Sequence, residues 1–323
     1  MNTQILKRGG LMKKLFFVVL ITAGLASCTK EDAPNNPDEA KKNKAAFAMT
    51  DAPMDNAEVK GAFVTVSEIW VDGEKVEGFN KTTVEVSALT EGRTQLLEET
   101  EMDASSFSEV VLKLDYEADE NGNSPGSYIV KVDGSKDKLS STSNEIKSST
   151  FVQLNSESTT TVVFDFDLRK MVKEESEGDY EFVASGEMES SIRTVIESET
   201  SHVKGDVDDQ NSNMTSKTIV YLYAAGTYSD DEMKGDGSSH EAFAKAVTSA
   251  EVNSNDSFQL SFVEDGDYEI YLFTYEDGDQ DGEYEVSGKA QLLVNGNSSF
   301  TVDHNNINGS LDLDLTLTTI LQL

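Results

Sequence analysis

One cysteine, one tryptophan, three histidines and four prolines are all that this chain of 323 residues holds of those types. With Cys28 alone, no internal disulfide can form, so the folded parts are held by their cores. His202, His240 and His304 are scattered without metal-ligand spacing and read as ordinary polar residues. Basic residues are scarce as well: 26 Lys and Arg stand against 60 Asp and Glu, a formal charge of −34. Lys7, Arg8, Lys13 and Lys14 are the only charges in residues 1–27, so the remainder is more acidic still. Such a field repels nucleic acid and anionic lipid and favours cations and basic surfaces. A nucleic-acid partner is excluded on that ground. The apolar run Leu15–Ala26 has about a dozen residues, too few to span a bilayer comfortably.

What is present begins with that run. Lys13 and Lys14 precede it and Leu25-Ala26-Ser27-Cys28 closes it, the order of a secretory signal followed by a thiol. The closing four residues resemble a bacterial lipobox, which implies a diacylglycerol on the Cys28 sulfur, cleavage before Cys28 and acylation of the new amine by a palmitate-type chain. Each buried methylene contributes about 0.8 kcal/mol, and one chain alone binds marginally, so two or three make a durable tether. Thr29-Lys30-Glu31-Asp32 resembles the short acidic export signals with which Bacteroidetes-type bacteria send lipoproteins to the outer leaflet. The expected address is therefore the outer membrane, lipid-anchored and cell-surface exposed, with a periplasm-facing position as the alternative.

Four segments follow from composition and pattern: a signal over 1–27, a disordered tether over 28–44, a β-sandwich over 45–198 and a second over 199–323. The tether "TKEDAPNNPDEAKKNK" holds two of the four prolines and almost nothing apolar. Beyond it the apolar residues fall into short alternating runs, the mark of half-buried strands. In "TVVFDFDLR", Val162, Phe164, Phe166 and Leu168 face one way, and Val163, Asp165, Asp167 and Arg169 the other. "EVVLKLDY", "SYIVKV" and "TTVEVS" repeat the pattern. "FVTVSEIWV" (Phe63–Val71) is apolar on both sides, as a central strand should be, and places Trp70 in the core. Two short helices are expected, two turns over Leu168–Glu175 and one over Asp103–Phe107. "DENGN" (Asp119–Asn123) reads as a plain turn.

The order of "AFAMTDAPMDNAEVKGAFVTVSEIWV" and the later "FDFD" strand resembles the bacterial domain of unknown function 4382. Its marks here are Thr50-Asp51-Ala52-Pro53, the Val64–Val66 strand core, Phe164–Asp167, and the Gly178–Val183 hairpin. The resemblance covers most of residues 45–198 and implies an exported lipoprotein with no assigned activity. Asp51 is a candidate recognition residue on this reading, against an Asx-type turn that simply ends the first strand.

After residue 199, Phe258, Leu260 and Phe262 alternate with polar residues, as do Leu311, Leu313, Leu315 and Leu317. The sequence order resembles a carboxypeptidase-regulatory-like, prealbumin-type sandwich. Ser229–Ala246 breaks the strand pattern and reads as a loop excursion, briefly helical at "HEAFAKAV".

Chemistry-bearing motifs are few. In "DGDQDGEYE", Asp277, Asp279, Asp281 and Gly282 match positions one, three, five and six of an EF-hand-type loop, with Glu283 and Glu285 at seven and nine. This makes Asp277, Asp279, Asp281, Glu283 and Glu285 a candidate Ca²⁺ site, though Gly288 stands where the bidentate acid belongs. Nucleophilic catalysis would need a base beside a Ser or Cys, and no such motif appears. The expectation is an all-β protein of two tandem sandwiches (immunoglobulin/prealbumin-like), a non-catalytic binding or structural module. Its expected partners are the membrane through its anchor and a glycan or an envelope protein. The alternative is a hydrolase accessory protein, or a weak glycan-processing enzyme using paired carboxylates.

Overall fold

The strand Asn43–Ala52 opens the fold and pairs on one side, in parallel, with Thr159–Asp167, Phe47 standing opposite Val162 and Thr50 opposite Asp165. On its other side it pairs antiparallel with Gln95–Met102, and Ile192–Ile196 completes a four-stranded sheet beside Thr159–Asp167. A second sheet is built around Val59–Val71, which receives Glu74–Lys75, Thr82–Glu85, Val110–Leu114 and Tyr128–Lys131 along its length. The computed structural model describes residues 42–52, 59–176, 179–207, 217–234, 242–276, 278, 285–307, 309–318 and 321–322. Among these residues no helix is long and apolar enough to cross a membrane.

Between the two sheets lies the first core. Phe47, Met49, Phe164 and Phe166 enter it from one side, and Val64, Val66, Ile69 and Leu112 from the other. This is the period-two burial that the alternating sequence predicts. Trp70 departs from expectation. Ile69 and Val71 take the core side, while Trp70 stays half-exposed on the outer face, its Nε1 donating to Glu68 (2.8 Å) under the Lys113 ammonium.

The helices also differ from the sequence reading. Only Leu168–Met171 forms a turn of helix, because Val172 is taken into antiparallel pairing with Phe182. Asp103–Phe107 forms none, and Ser106–Phe107 pairs with Val152–Gln153. A helix the sequence hides, Ser185–Ser190, buries a single residue, Met188. "DENGN" closes as an Asx turn, Asp119 Oδ1 accepting from the N–H groups of Asn121 and Asn123.

The second sandwich stacks the sheet of Ser201–Asp206, Ser257–Val263 and Ser310–Leu313 on a larger one holding Lys217–Ala224, Thr248–Glu251, Gly266–Glu276 and Glu285–Val294. Val220, Leu222, Leu260, Ile270 and Leu272 fill the space between. The closing leucines alternate as expected, but their strand changes sheets at Asp314: Ser310–Leu313 pairs with Ser201–Asp206, and Leu315–Leu317 with Glu285–Val294. Gly205 permits this crossing, since a Cβ there would collide with Leu315 and Phe258. The outer face of the larger sheet carries a third cluster, where Phe243 stacks on Tyr221 (4.3 Å between centroids) beneath the Ser229–Ala246 excursion. At "HEAFAKAV" residues 242–245 make a turn instead of a helix; His240 and Glu241 lie outside the described residues.

Candidate functional site

The sequence leaves one face of "TVVFDFDLR" polar, and the structure covers it. Ala46, Ala48 and Thr50 of the opening strand, with Val163, Asp165 and Asp167 of its parallel neighbour, are all buried although they point away from the first core. The second sandwich lies on them within one compact body, residues 41–323. A strand buried on both sides is ordinary in a parallel pair, but two aspartates within it demand partners. Those partners come from the residues that follow.

Asp165 accepts from the Arg193 guanidinium (2.6 Å), and Asp167 accepts from Arg169 (2.7 Å) with Lys170 at 3.2 Å. The Arg169 side chain is only 4% exposed. Each cation then reaches across to a backbone carbonyl of the second sandwich. Arg169 donates to the oxygens of Ala242 (2.8 Å) and Phe243 (3.2 Å), Lys170 to Ala246 (2.9 Å), and Arg193 to Ser261 (3.1 Å) and Phe262. Charge-assisted bonds of this kind are about twice as strong as neutral ones. Burial pushes the Asp167 carboxyl up, but Arg169 and Lys170 outweigh it and hold the group below its ordinary range. For Asp165 burial, helped by the neighbouring Asp167, prevails over Arg193 and Lys170, and the carboxyl is raised.

Two of the receiving carbonyls belong to phenylalanines in the left-handed region, Phe243 at φ 59° and Phe262 at φ 54°. A bulky residue there is an outlier, costing about 1–2 kcal/mol. Phe262 reaches this conformation at a β-bulge: Ser201 pairs with Val263 and Val203 with Leu260, so two residues oppose one. The bulge shifts the alternation by one. Phe258 and Leu260 stay in the second core, while Phe262 leaves the face that its spacing predicts and packs with Val163 and Val195 of the first sandwich. The turn at Glu91 and Gly92 presses on the same strand, Glu91 O accepting from Gln259 (2.8 Å). A Cβ on Gly92 would crowd Gln259, His202 and Ser261.

Along this seam a cavity of ≈ 190 Å³ remains. Asp51 and Asp165 reach it from the first sandwich, and Thr248, Glu251 and Phe262 from the second. Asp51 is buried, its Oδ1 receiving the Leu168 N–H at 3.4 Å, so the candidate recognition residue and the "FDFD" strand share one site. Sequence reasoning missed Arg193, Thr248 and Glu251 as members. The available signal was the pair of aspartates alternating with phenylalanines, which must face something other than water if the strand is central.

The remaining candidates lie elsewhere. Cys28 and the loop acids Asp277, Asp279, Asp281 and Glu283 fall outside the described residues. Glu285 is described: it stands exposed opposite Glu276 and accepts from the Gly278 N–H at 3.4 Å. Among the described residues one group could share an ion by proximity, Asp265, Asp303 and His304. There Asp265 already takes the His304 N–H (2.7 Å) and contacts its Nδ1 (2.8 Å), so the group serves to tie two turns together. His202 is half-buried edge-on to Phe262, and burial, with Lys204 nearby, lowers its pKa.

Residues 43–184 match the family described as "Domain of unknown function (DUF4382)". The matched segment includes the opening strand, the "FDFD" strand, Arg169 and Lys170; Arg193 lies past its end. No curated protein matches this chain. Solved structures similar to it include BcpA, the major pilin subunit of Bacillus cereus, at 12% identity, covering 85% of this chain and 71% of that one with a TM-score of 0.19. A cell adhesion protein from Parabacteroides distasonis, so described only provisionally, is 13% identical over 84% of this chain and 98% of its own, with a TM-score of 0.20. The major pilin from Streptococcus pyogenes is 11% identical, covering 85% and 97%, with a TM-score of 0.17. Overlaps this loose say nothing of what this chain does.

Proposed function

We propose that this protein is a lipid-anchored fixture of the bacterial cell envelope, a non-catalytic binding or structural module displayed at the outer membrane through Cys28. One observation carries the non-catalytic part. Asp165 and Asp167, the two buried carboxylates of the "FDFD" strand, are each engaged by cations of the same chain that bind carbonyls of the neighbouring sandwich. Groups so committed lock two bodies together, whereas a glycosidase pair faces its substrate across an open gap. The address is supported by the order of positive start, apolar run, small residues and sole cysteine over Lys13–Cys28. The sequence order after residue 199, read as resembling carboxypeptidase-regulatory-type modules that recur in exported proteins, is in keeping with the same role.

Fractionation tests the reading. The full chain is expected in the membrane pellet and Cys28→Ala in the soluble fraction. Mass spectrometry should find acyl chains on the peptide that begins at Cys28. A variant that stays with the membrane, or a native peptide with a bare thiol, would overturn the anchor.

A further inference from the structure

The seam cavity has a composition that selects its occupant. Four of its lining residues are carboxylates, Asp51, Glu91, Asp165 and Glu251, and none is lysine or arginine. Arg193 meets Asp165 and Lys217 meets Glu251 (3.5 Å), each without lining the cavity. The wall between the acids is hydroxyl and amide, including Thr90, Thr248 and Asn253, with Ala250 and Phe262 as its apolar residues. At ≈ 190 Å³ the space exceeds the ~150 Å³ that admits a benzene ring, so one six-membered ring fits.

Anions are refused by charge. A bare divalent metal is poorly served here, since its carboxylate ligands would have to converge on one point at about 2.3–2.6 Å. Among the described residues only Asp265, Asp303 and His304 converge closely enough for that, and none of them lines this cavity. A group that is both cationic and rich in hydrogen-bonding hydroxyls satisfies carboxylates and neutral polar wall together.

We propose that the seam cavity binds a small hydroxylated amine, an amino sugar with its ammonium free, whose charge is met by Asp51 and Glu91 of the first sandwich and Glu251 of the second. This deepens the reading of the protein as a binding module and rests on it only in that respect, since the cavity is formed whether or not Cys28 is acylated. An occupant touching both sandwiches also draws them together, so binding should raise the melting midpoint.

The test is titration calorimetry on the full-length protein in detergent near neutral pH, with glucosamine, N-acetylglucosamine and glucose as probes. Glucosamine should bind at least about tenfold tighter than either neutral sugar, the size of one charge-assisted contact. Glu91 and Glu251 stand at the exposed rim, so the double variant Glu91→Gln, Glu251→Gln should keep its fold. It should weaken glucosamine roughly fivefold or more with an unchanged melting midpoint in the absence of sugar. No heat with glucosamine, equal affinity for all three sugars, or full affinity in the double variant would each overturn the proposal. Those results leave the fractionation of Cys28→Ala untouched, and a failed anchor leaves these.

Discussion

The two faces of the strand Thr159–Asp167 share one backbone and are buried alike, yet they are closed by opposite chemistry. Toward the first core it presents Val162, Phe164 and Phe166, which pack without direction and tolerate small shifts. Toward the second sandwich it presents Val163, Asp165 and Asp167, whose charges are met at fixed points by Arg193, Arg169 and Lys170. The apolar face supplies stability in proportion to area. The ionic face supplies little net stability, because desolvation offsets attraction, and instead specifies which surface of the neighbour is accepted. The left-handed Phe243 and Phe262 belong to that second kind of closure, since strain is tolerated where strong bonds over-determine the backbone.

The largest expected effect belongs to the apolar face. Phe164→Ala, beside Phe47 with ring centroids 6.4 Å apart, should cost about 3–5 kcal/mol in urea denaturation. A loss under about 1 kcal/mol would mean that this core can collapse around the gap. Next comes Arg193→Met, which leaves Asp165 buried without its bonded cation and should cost about 3 kcal/mol. It should also split one melting transition into two as the sandwiches uncouple. Adding Asp165→Leu should restore most of the loss. If it restores none, the network stabilises outright and the contrast between the faces fails.

The smallest effect is a response to pH. Asp167 lies below its ordinary value of 3.8, so its contribution is intact above that value and lost as pH falls through its lowered pKa. His202, lowered from 6.5, likewise contributes fully above 6.5 and loses that contribution on acidification. Asp165, raised, works in reverse: its contribution is present at low pH and lost as pH rises through its folded value. The melting midpoint should therefore change little between neutrality and mild acid, then fall steeply below about pH 4. In Asp165→Asn the mild-acid region should slope downward, and an unchanged profile would show that Asp165 does not titrate as its burial requires.

Much of the fold was legible in the residues. The alternation in "TVVFDFDLR" and the closing leucines placed the right side chains on the right faces, and two sandwiches follow from them. What failed was of one physical kind. Alternation reports polarity, and it is silent on what covers a face, so the seam of Asp165 and Asp167 read as solvent. It also assumes an unbroken period of two, so the bulge before Val263 sent Phe262 to an unforeseen neighbour. Trp70 read as core because its run is apolar on both sides, whereas Glu68 and Lys113 give its indole an amphipathic berth outside. The cavity was illegible because its walls stand far apart in the chain, Asp51 near the start and Glu251 two hundred residues on.

The parallel pairing of Asn43–Ala52 with Thr159–Asp167 also sets a timetable. The leading strand of a growing chain finds its central neighbour only once more than a hundred further residues have emerged, so the first sheet closes late. Gln95–Met102, its antiparallel partner, remains the outer edge of that sheet even afterwards, and Glu98, Glu99 and Glu101 along it discourage pairing with other molecules. A polypeptide that assembles slowly yet resists clumping tolerates a long interval before it sets.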